Sequence, residues 1–253
     1  MEKLSATVIA YNEGSRIARC LESLLWADEI VVVDAFSQDD TVEVCRRYTD
    51  KVLRRDWQGY GRQKNYSCEQ ASHHWILNLD ADETVSAELK EEIQQTLGGE
   101  PDHSVYRMPR RNYFAGRWIR RCGWYPDYTM RLFDRRRARF NERMVHESVS
   151  VSGPVGTLQG VIEHHTYESL SDYIERLNRY SSLAAEELIR EGKSVGSHRL
   201  YLDPLGAFLK TYVLRLGFLE GELGLSIALG TAYYTFAKYF KARRPAAQGR
   251  EKA

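Results

Sequence analysis

Along the first hundred residues, apolar runs and polar breaks alternate with two different periods. SATVIAY (5–11), EIVVVDA (29–35), KVLRR (51–55) and HWILNLD (74–80) are short runs rich in β-branched or aliphatic residues. Runs of this kind predict strands covered on both faces. Between and after them, RIARCLESLLWA (16–27), DDTVEVCRRY (39–48), RQKNYSCEQAS (62–72) and SAELKEEIQQTL (86–97) are helix-compatible, with Ser86 in an N-cap position. Strands separated by helices of about ten residues predict a parallel sheet with right-handed crossovers.

From about residue 103 to 165 the pattern becomes irregular, aromatic and Arg-rich, with strand-like pieces SVYRMPR, TMRLFDR and VSVSG. It predicts a mixed-sheet edge and substrate-facing loops. A helix is expected over 169–192, followed by a Gly- and Ser-containing break and an aromatic, Gly-punctuated block at 202–244. The expected organisation is one α/β domain over 1–198 and an amphipathic helical extension over 199–253 that ends in a polar tail. A chain of 253 residues can bury one substantial core.

Charge sharpens this picture locally rather than globally. Thirty-six basic against 35 acidic residues leave +1, which gives no reason to expect nucleic acid as a partner. Between Arg107 and Arg143, however, twelve Arg face only Asp127, Asp134 and Glu142. That stretch either meets an anionic partner or forms a solvated surface with internal ion pairs. Cys20, Cys45, Cys68 and Cys122 contain no C-x-x-C, which argues against a zinc site or a disulfide framework and predicts reduced thiols in a cytoplasmic protein. The opening MEKLSATVIAYNE enters a strand pattern almost at once, so no signal peptide is expected.

In open parallel sheets, ligands bind at the carboxyl ends of the strands. Asn12 and Glu13, Asp34, and Asp80 with Asp82 each follow a strand and would share one crevice. Asp80 and Asp82 would face the same way if the strand continued, and two carboxylates there suit Mg²⁺ or Mn²⁺ completed by phosphate oxygens. An isolated D-x-D equally fits a strand end running into a turn. Asp34 suits a ribose hydroxyl or a base N–H. Neither G-x-G-x-x-G nor G-x-x-x-x-G-K-[ST] occurs, so neither a dinucleotide fold nor a phosphate-cradling loop is supported.

Taken in order, VIAYNE, IVVVDAFSQDDT, GRQKN and LDADE resemble the family 2 glycosyltransferases of GT-A fold, and MRLFDRRRARFNERMVHE resembles the subgroup that builds lipopolysaccharide core, the β-1,4-glucosyltransferase-like enzymes. The resemblance implies a GT-A (Rossmann-like), mostly parallel central sheet flanked by helices, and an inverting, metal-dependent transfer. It implies nucleoside contacts at Ala10, Tyr11, Asn12, Glu13 and Asp34. The D-x-D equivalent is Asp80-Ala81-Asp82, with Asp82 on the metal and Asp80 beside it, and Lys64 stands near the base or diphosphate. It assigns the general base to Glu147, within His146-Glu147 where the family commonly has an E-D pair, with Asp127 as second candidate. Trp124, Tyr125, Arg131 and His146 are candidate acceptor contacts; the donor expected is UDP-glucose, and the acceptor a lipid-linked anionic saccharide. The adjacent His164 and His165 are left out of the site, because neighbouring strand residues face opposite ways.

LGLSIALGTAYYTFA (223–237) has fifteen residues without a charge, short of the roughly 20 that span a bilayer. With Lys210, Arg215, Lys238, Lys241, Arg243 and Arg244 around it, the block predicts either an interfacial helix pair on the inner leaflet of the cytoplasmic membrane or an amphipathic hairpin packed on protein. Two other functions compete: a sugar-phosphate nucleotidyltransferase, for which AYNEGSR is a poor Gly-rich loop, and a non-catalytic carbohydrate or lipid binder, which has little use for converging carboxylates.

Overall fold

The computed structural model describes residues 2–141 and 148–243. The chain forms two compact units, one built from 1–111 and 126–164, the other from 112–125 and the residues from 165 onward.

In the first unit, β1 (Leu4–Ala10), β2 (Glu29–Asp34), β3 (Val52–Arg54) and β4 (Trp75–Asp80) form the parallel half of the central sheet in the order β3-β2-β1-β4. All seven positions of β1 are buried, which is why its sequence lacks a polar-apolar alternation. Leu77 and Leu79 of β4 face one side of the sheet, where they join Ile17 and Leu21 of α1 (Ile17–Glu22) and, further along the chain, Leu89 and Ile93. Ile76 faces the other side, with Val31, Cys68 and Phe133.

Two helices are shorter than the sequence suggests. After Glu22 the Ser23 hydroxyl donates to the Cys20 carbonyl and the Trp26 indole N–H to the Ser23 carbonyl, turning the chain out of the helix. α2 spans only Thr41–Cys45, because Asp39 and Asp40 belong to the preceding loop, where Asp39 accepts from Thr41 and from the Gly14 N–H. α3 (Tyr60–Gln70), β5 (Glu83–Val85) and α4 (Ala87–Gly98) follow, and Ser86 caps α4 as expected by accepting from the Leu89 N–H at 3.2 Å.

The irregular region supplies the expected mixed edge. The end of β6 (Val105–Phe114) pairs antiparallel with the short β7 (Arg117–Trp118), and β8 (Asp127–Asp134) inserts antiparallel between β4 and β6. β9 (Ala138–Phe140) and β10 (Val149–Val151) form a separate ribbon. β11 (Gly156–Thr157) pairs with β6, and β12 (Ile162–Tyr167) pairs antiparallel with β5. The architecture is α/β, a mixed central sheet with a parallel half, flanked by helices. All four cysteines are free and buried, and burial pushes the thiols of Cys45 and Cys68 up to about 12.

The second unit packs α5 (Leu170–Arg190) against α7 (Gly221–Arg243), with α6 (Leu202–Leu209) also on α7. Its core holds Phe114, Ile119, Cys122, Tyr173 and Ile227. The helices approach closely at Gly230, where a Cβ would stand 2.4 Å from the Tyr173 ring. Glu220, buried, ties down the 117–121 turn by accepting from the Arg120 and Arg121 N–H groups at 2.9 and 3.0 Å and from Arg117. Among the described residues no helix is long and apolar enough to cross a membrane.

Candidate active site

The parallel register brings the acidic strand ends together. Asp34 is the partner of Ala10 across β2 and β1, and Asp80 is the partner of Ile9 across β4 and β1, so the carboxyl ends of three neighbouring strands carry Asp34, Ala10 and Asp80. The β1–α1 and β2–α2 loops are laced to each other above them. Asn12 N–H donates to Ser37 Oγ, Gln38 N–H donates to Asn12 Oδ1, and Glu13 N–H donates to Thr41 Oγ1. Asn12 takes a φ of 54°, a conformation that Asn tolerates well. Asp34 is fully buried, accepts from the Ser37 hydroxyl and N–H, and has Arg54 Nε at 3.8 Å. Tyr11, next to Asn12 in the chain, is 53% exposed.

The D-x-D divides its two carboxylates. The strand ends at Asp80, and Ala81-Asp82 turns into β5, so the two side chains have different partners. Asp80 Oδ1 meets Lys64 Nζ at 2.8 Å, and Oδ2 accepts from Arg131 Nη2. Burial by itself would raise the Asp80 carboxyl; the charges of Arg131 and Lys64 overcome it and hold the group well below the usual carboxylate range. Asp82 Oδ2 lies 3.4 Å from His164 Nε2. The β5–β12 register, in which Glu83 faces His164, explains that approach.

Two residues read as ligand contacts turn out to be interior cations. Lys64 is fully buried, under the Phe140 ring and on Asp80, because an ammonium out of water needs a paired carboxylate. Arg131, expected at the acceptor, is 4% exposed and joins Asp80 to Glu83. Asp127 accepts from Arg110 Nε and Nη2 at 2.9 and 2.8 Å and is partly exposed. Burial would lower the Arg110 guanidinium, but Glu83 and Asp127 raise it. Trp124 and Tyr125 lie in the second unit, where Trp124 stacks on Phe114 and Tyr125 packs edge-on to Trp118. His146 and Glu147 lie outside the described residues.

Sequence reasoning missed Glu83, Arg110 and His164. None of the three is marked in the sequence: Glu83 opens a three-residue strand, and Arg110 is one of three arginines in β6. Of the two adjacent histidines left out of the site, His164 stands at Asp82 while His165 stacks on Tyr113. The Arg-rich stretch is in part internally paired, as Arg136 on Asp134 and Arg135 on the Cys68 carbonyl also show.

Among the described residues no three His, Cys, Asp or Glu side chains converge on a ready-made metal site. Asp82 and His164 nevertheless offer an oxygen and a nitrogen close enough to share one ion, and a small divalent cation bound with a nucleotide needs only one or two protein carboxylates. The Asp82 carboxylate with phosphate oxygens fits Mg²⁺ or Mn²⁺, and the His164 nitrogen suits Mn²⁺ better than Mg²⁺.

A parallel half-sheet with carboxylates at its carboxyl ends is the arrangement in which α/β enzymes take ligands over the strand ends. The sequence model described as Glycosyl transferase family 2 matches residues 5–162, and the chain belongs to that family of glycosyltransferases. It is 30% identical to the lipopolysaccharide core biosynthesis glycosyltransferase LpsC of Rhizobium meliloti, over 96% of this chain and 95% of that protein. It is also 30% identical to an uncharacterized glycosyltransferase of Rickettsia prowazekii, over 96% and 87% respectively. Among solved structures, S. aureus TarS 1–349 in complex with UDP matches with a TM-score of 0.49 at 16% identity, covering 95% of this chain and 90% of that one.

Proposed function

We propose that the protein is an inverting, metal-dependent hexosyltransferase that moves a sugar, glucose from UDP-glucose in the first instance, to a lipid-linked anionic saccharide such as lipopolysaccharide inner core. The observation that carries the reading is the placement of Asp34 and Asp80 at the carboxyl ends of the two parallel strands that flank β1, with Asp82 two residues beyond. LpsC, a relative over nearly its whole length, supports the acceptor class.

In this reading Ala10, Tyr11, Asn12, Glu13 and Asp34 surround the nucleoside, with the Asp34 carboxylate accepting from it. Asp82 and His164 hold the divalent ion, which when bound supplies Lewis-acid stabilisation of the departing diphosphate. Asp80, kept anionic by Lys64 and Arg131, presents a fixed negative charge beside the donor. Asp127 takes the proton from the attacking hydroxyl; it is the candidate base whose carboxylate is tied, through Arg110, to the same charged cluster.

Calorimetry with UDP-, ADP- and GDP-sugars, with and without Mn²⁺, tests the donor site. Binding is expected to need the metal, and Asp82→Ala to weaken it by about 10- to 100-fold, the range for losing a group that supports a bound metal. Preference for a nucleoside triphosphate would instead favour a nucleotidyltransferase.

The second unit supports attachment to the inner leaflet of the cytoplasmic membrane. Leu202, Leu205, Leu214 and Leu219 are more than half exposed, Leu214 at 77%, within a segment that also carries Lys210 and Arg215. Co-sedimentation with phosphatidylglycerol vesicles is expected, and its loss is expected on replacing Leu205 and Leu214 with Asp. Binding unchanged by that double substitution refutes this surface as the contact.

A further inference from the structure

Glu83 receives more than its place after the D-x-D accounts for. Its carboxylate is fully buried. Oε1 accepts from Arg131 Nη2 and from Arg110 Nη1, each at 2.8 Å, and Oε2 accepts from the backbone N–H of Asp80 at 3.0 Å. Each arginine reaches one further carboxylate. Arg131 Nη2 also donates to Asp80 Oδ2, and Arg110 donates through Nε and Nη2 to Asp127 Oδ2. The charges alternate without a break through Asp80, Arg131, Glu83, Arg110 and Asp127.

A buried ion cluster of this kind is weak evidence for stability, since desolvating each ion costs several kcal/mol and apolar replacements often do as well. Its geometry is more informative. A guanidinium is a planar fork with donors in fixed directions, so two forks sharing one carboxylate hold both outer carboxylates in place, which a flexible ammonium would not. Glu83 is the common point of both forks and also grips the backbone of Asp80 itself.

We propose that Glu83 is a positioning residue for sugar transfer: it fixes Asp80, on the donor side, and Asp127 relative to one another through Arg131 and Arg110. The inference rests on the reading of Asp127 as general base. Glu83 touches neither substrate; it governs where the groups that do are held.

The test compares Glu83→Gln, Arg110→Lys, Asp127→Asn and the doubles that combine each of the first two with Asp127→Asn. Full-length protein is assayed with Mn²⁺ for nucleoside diphosphate release from UDP-glucose, ADP-heptose and GDP-mannose, with deacylated lipopolysaccharide core as acceptor. Glu83→Gln and Arg110→Lys are each expected to lower kcat about 100-fold, the effect of misplacing a reacting group by an ångström, while calorimetric affinity for the matching nucleoside diphosphate changes less than about threefold. Neither is expected to lower kcat further in the Asp127→Asn background, because groups that act as one unit are not additive.

A folded Glu83→Gln with wild-type kcat overturns the proposal, and so does a loss that multiplies with that of Asp127→Asn. If Glu83→Gln does not fold, Arg110→Lys decides, and wild-type kcat in that variant overturns the proposal. Wild-type kcat in Asp127→Asn refutes the base assignment and the inference with it, as does a wild type that turns over none of the three donors. An impaired Asp127→Asn beside an unimpaired Glu83→Gln refutes the inference alone.

Discussion

Asp127→Asn is expected to lower kcat about 1,000-fold, inside the 10²–10⁴-fold range that a positioned general base supplies, with nucleotide affinity unchanged. The amide keeps the shape and can still accept from Arg110, but it cannot take up the proton of an attacking hydroxyl. Asp127 combines two properties that the task requires. It is partly exposed, so an acceptor can reach it, and Arg110 holds it from behind, donating from both Nε and Nη2 to one oxygen. Glu147→Gln in the same assay separates the two candidates. Near-wild-type turnover in Asp127→Asn together with loss in Glu147→Gln moves the base to Glu147.

The parallel half of the fold is legible because burial on both faces leaves a mark on composition. EIVVVD and WILNLD become β2 and β4 within a residue of their expected ends, and each acidic terminus falls where the strand leaves the core. The charged interior is harder to read. Arg131 stands between Met130 and Leu132 in β8, and a single arginine between apolar neighbours looks the same in sequence whether it points to solvent or to a buried carboxylate. What decides it is the pairing of β8 with β4, an antiparallel contact between segments some fifty positions apart, which sets Leu77 opposite Leu132 and brings Arg131 to Asp80. His164 was hidden for the same reason, since its approach to Asp82 depends on the β5–β12 register. Local periodicity carries no information about either pairing, so the strand ends were predictable while the cations beneath them were not.

That buried arginine makes Arg131→Met the substitution with the largest expected effect on folding, about 3–5 kcal/mol, because removing one partner leaves buried charge uncompensated. Met preserves much of the volume, so the loss is electrostatic: Asp80 and Glu83 would face each other with only Lys64 and Arg110 to offset them. In urea unfolding the effect appears as a lower midpoint, and in thermal unfolding as a drop of about 10 °C for a chain of this size. Its pH dependence has a definite sign. A carboxyl depressed by the fold adds stability that is present above its ordinary value of 3.8 and is lost as pH falls through the depressed value. Arg131→Met weakens that depression, so the gap between wild type and variant is widest at about pH 7 and narrows at about pH 4 or below, where the unfolded carboxylate takes up its proton as well. Adding Glu83→Gln should return part of the lost stability, because it removes one of the two stranded charges; a double variant less stable than Arg131→Met alone would mean that Arg131 contributes chiefly by packing.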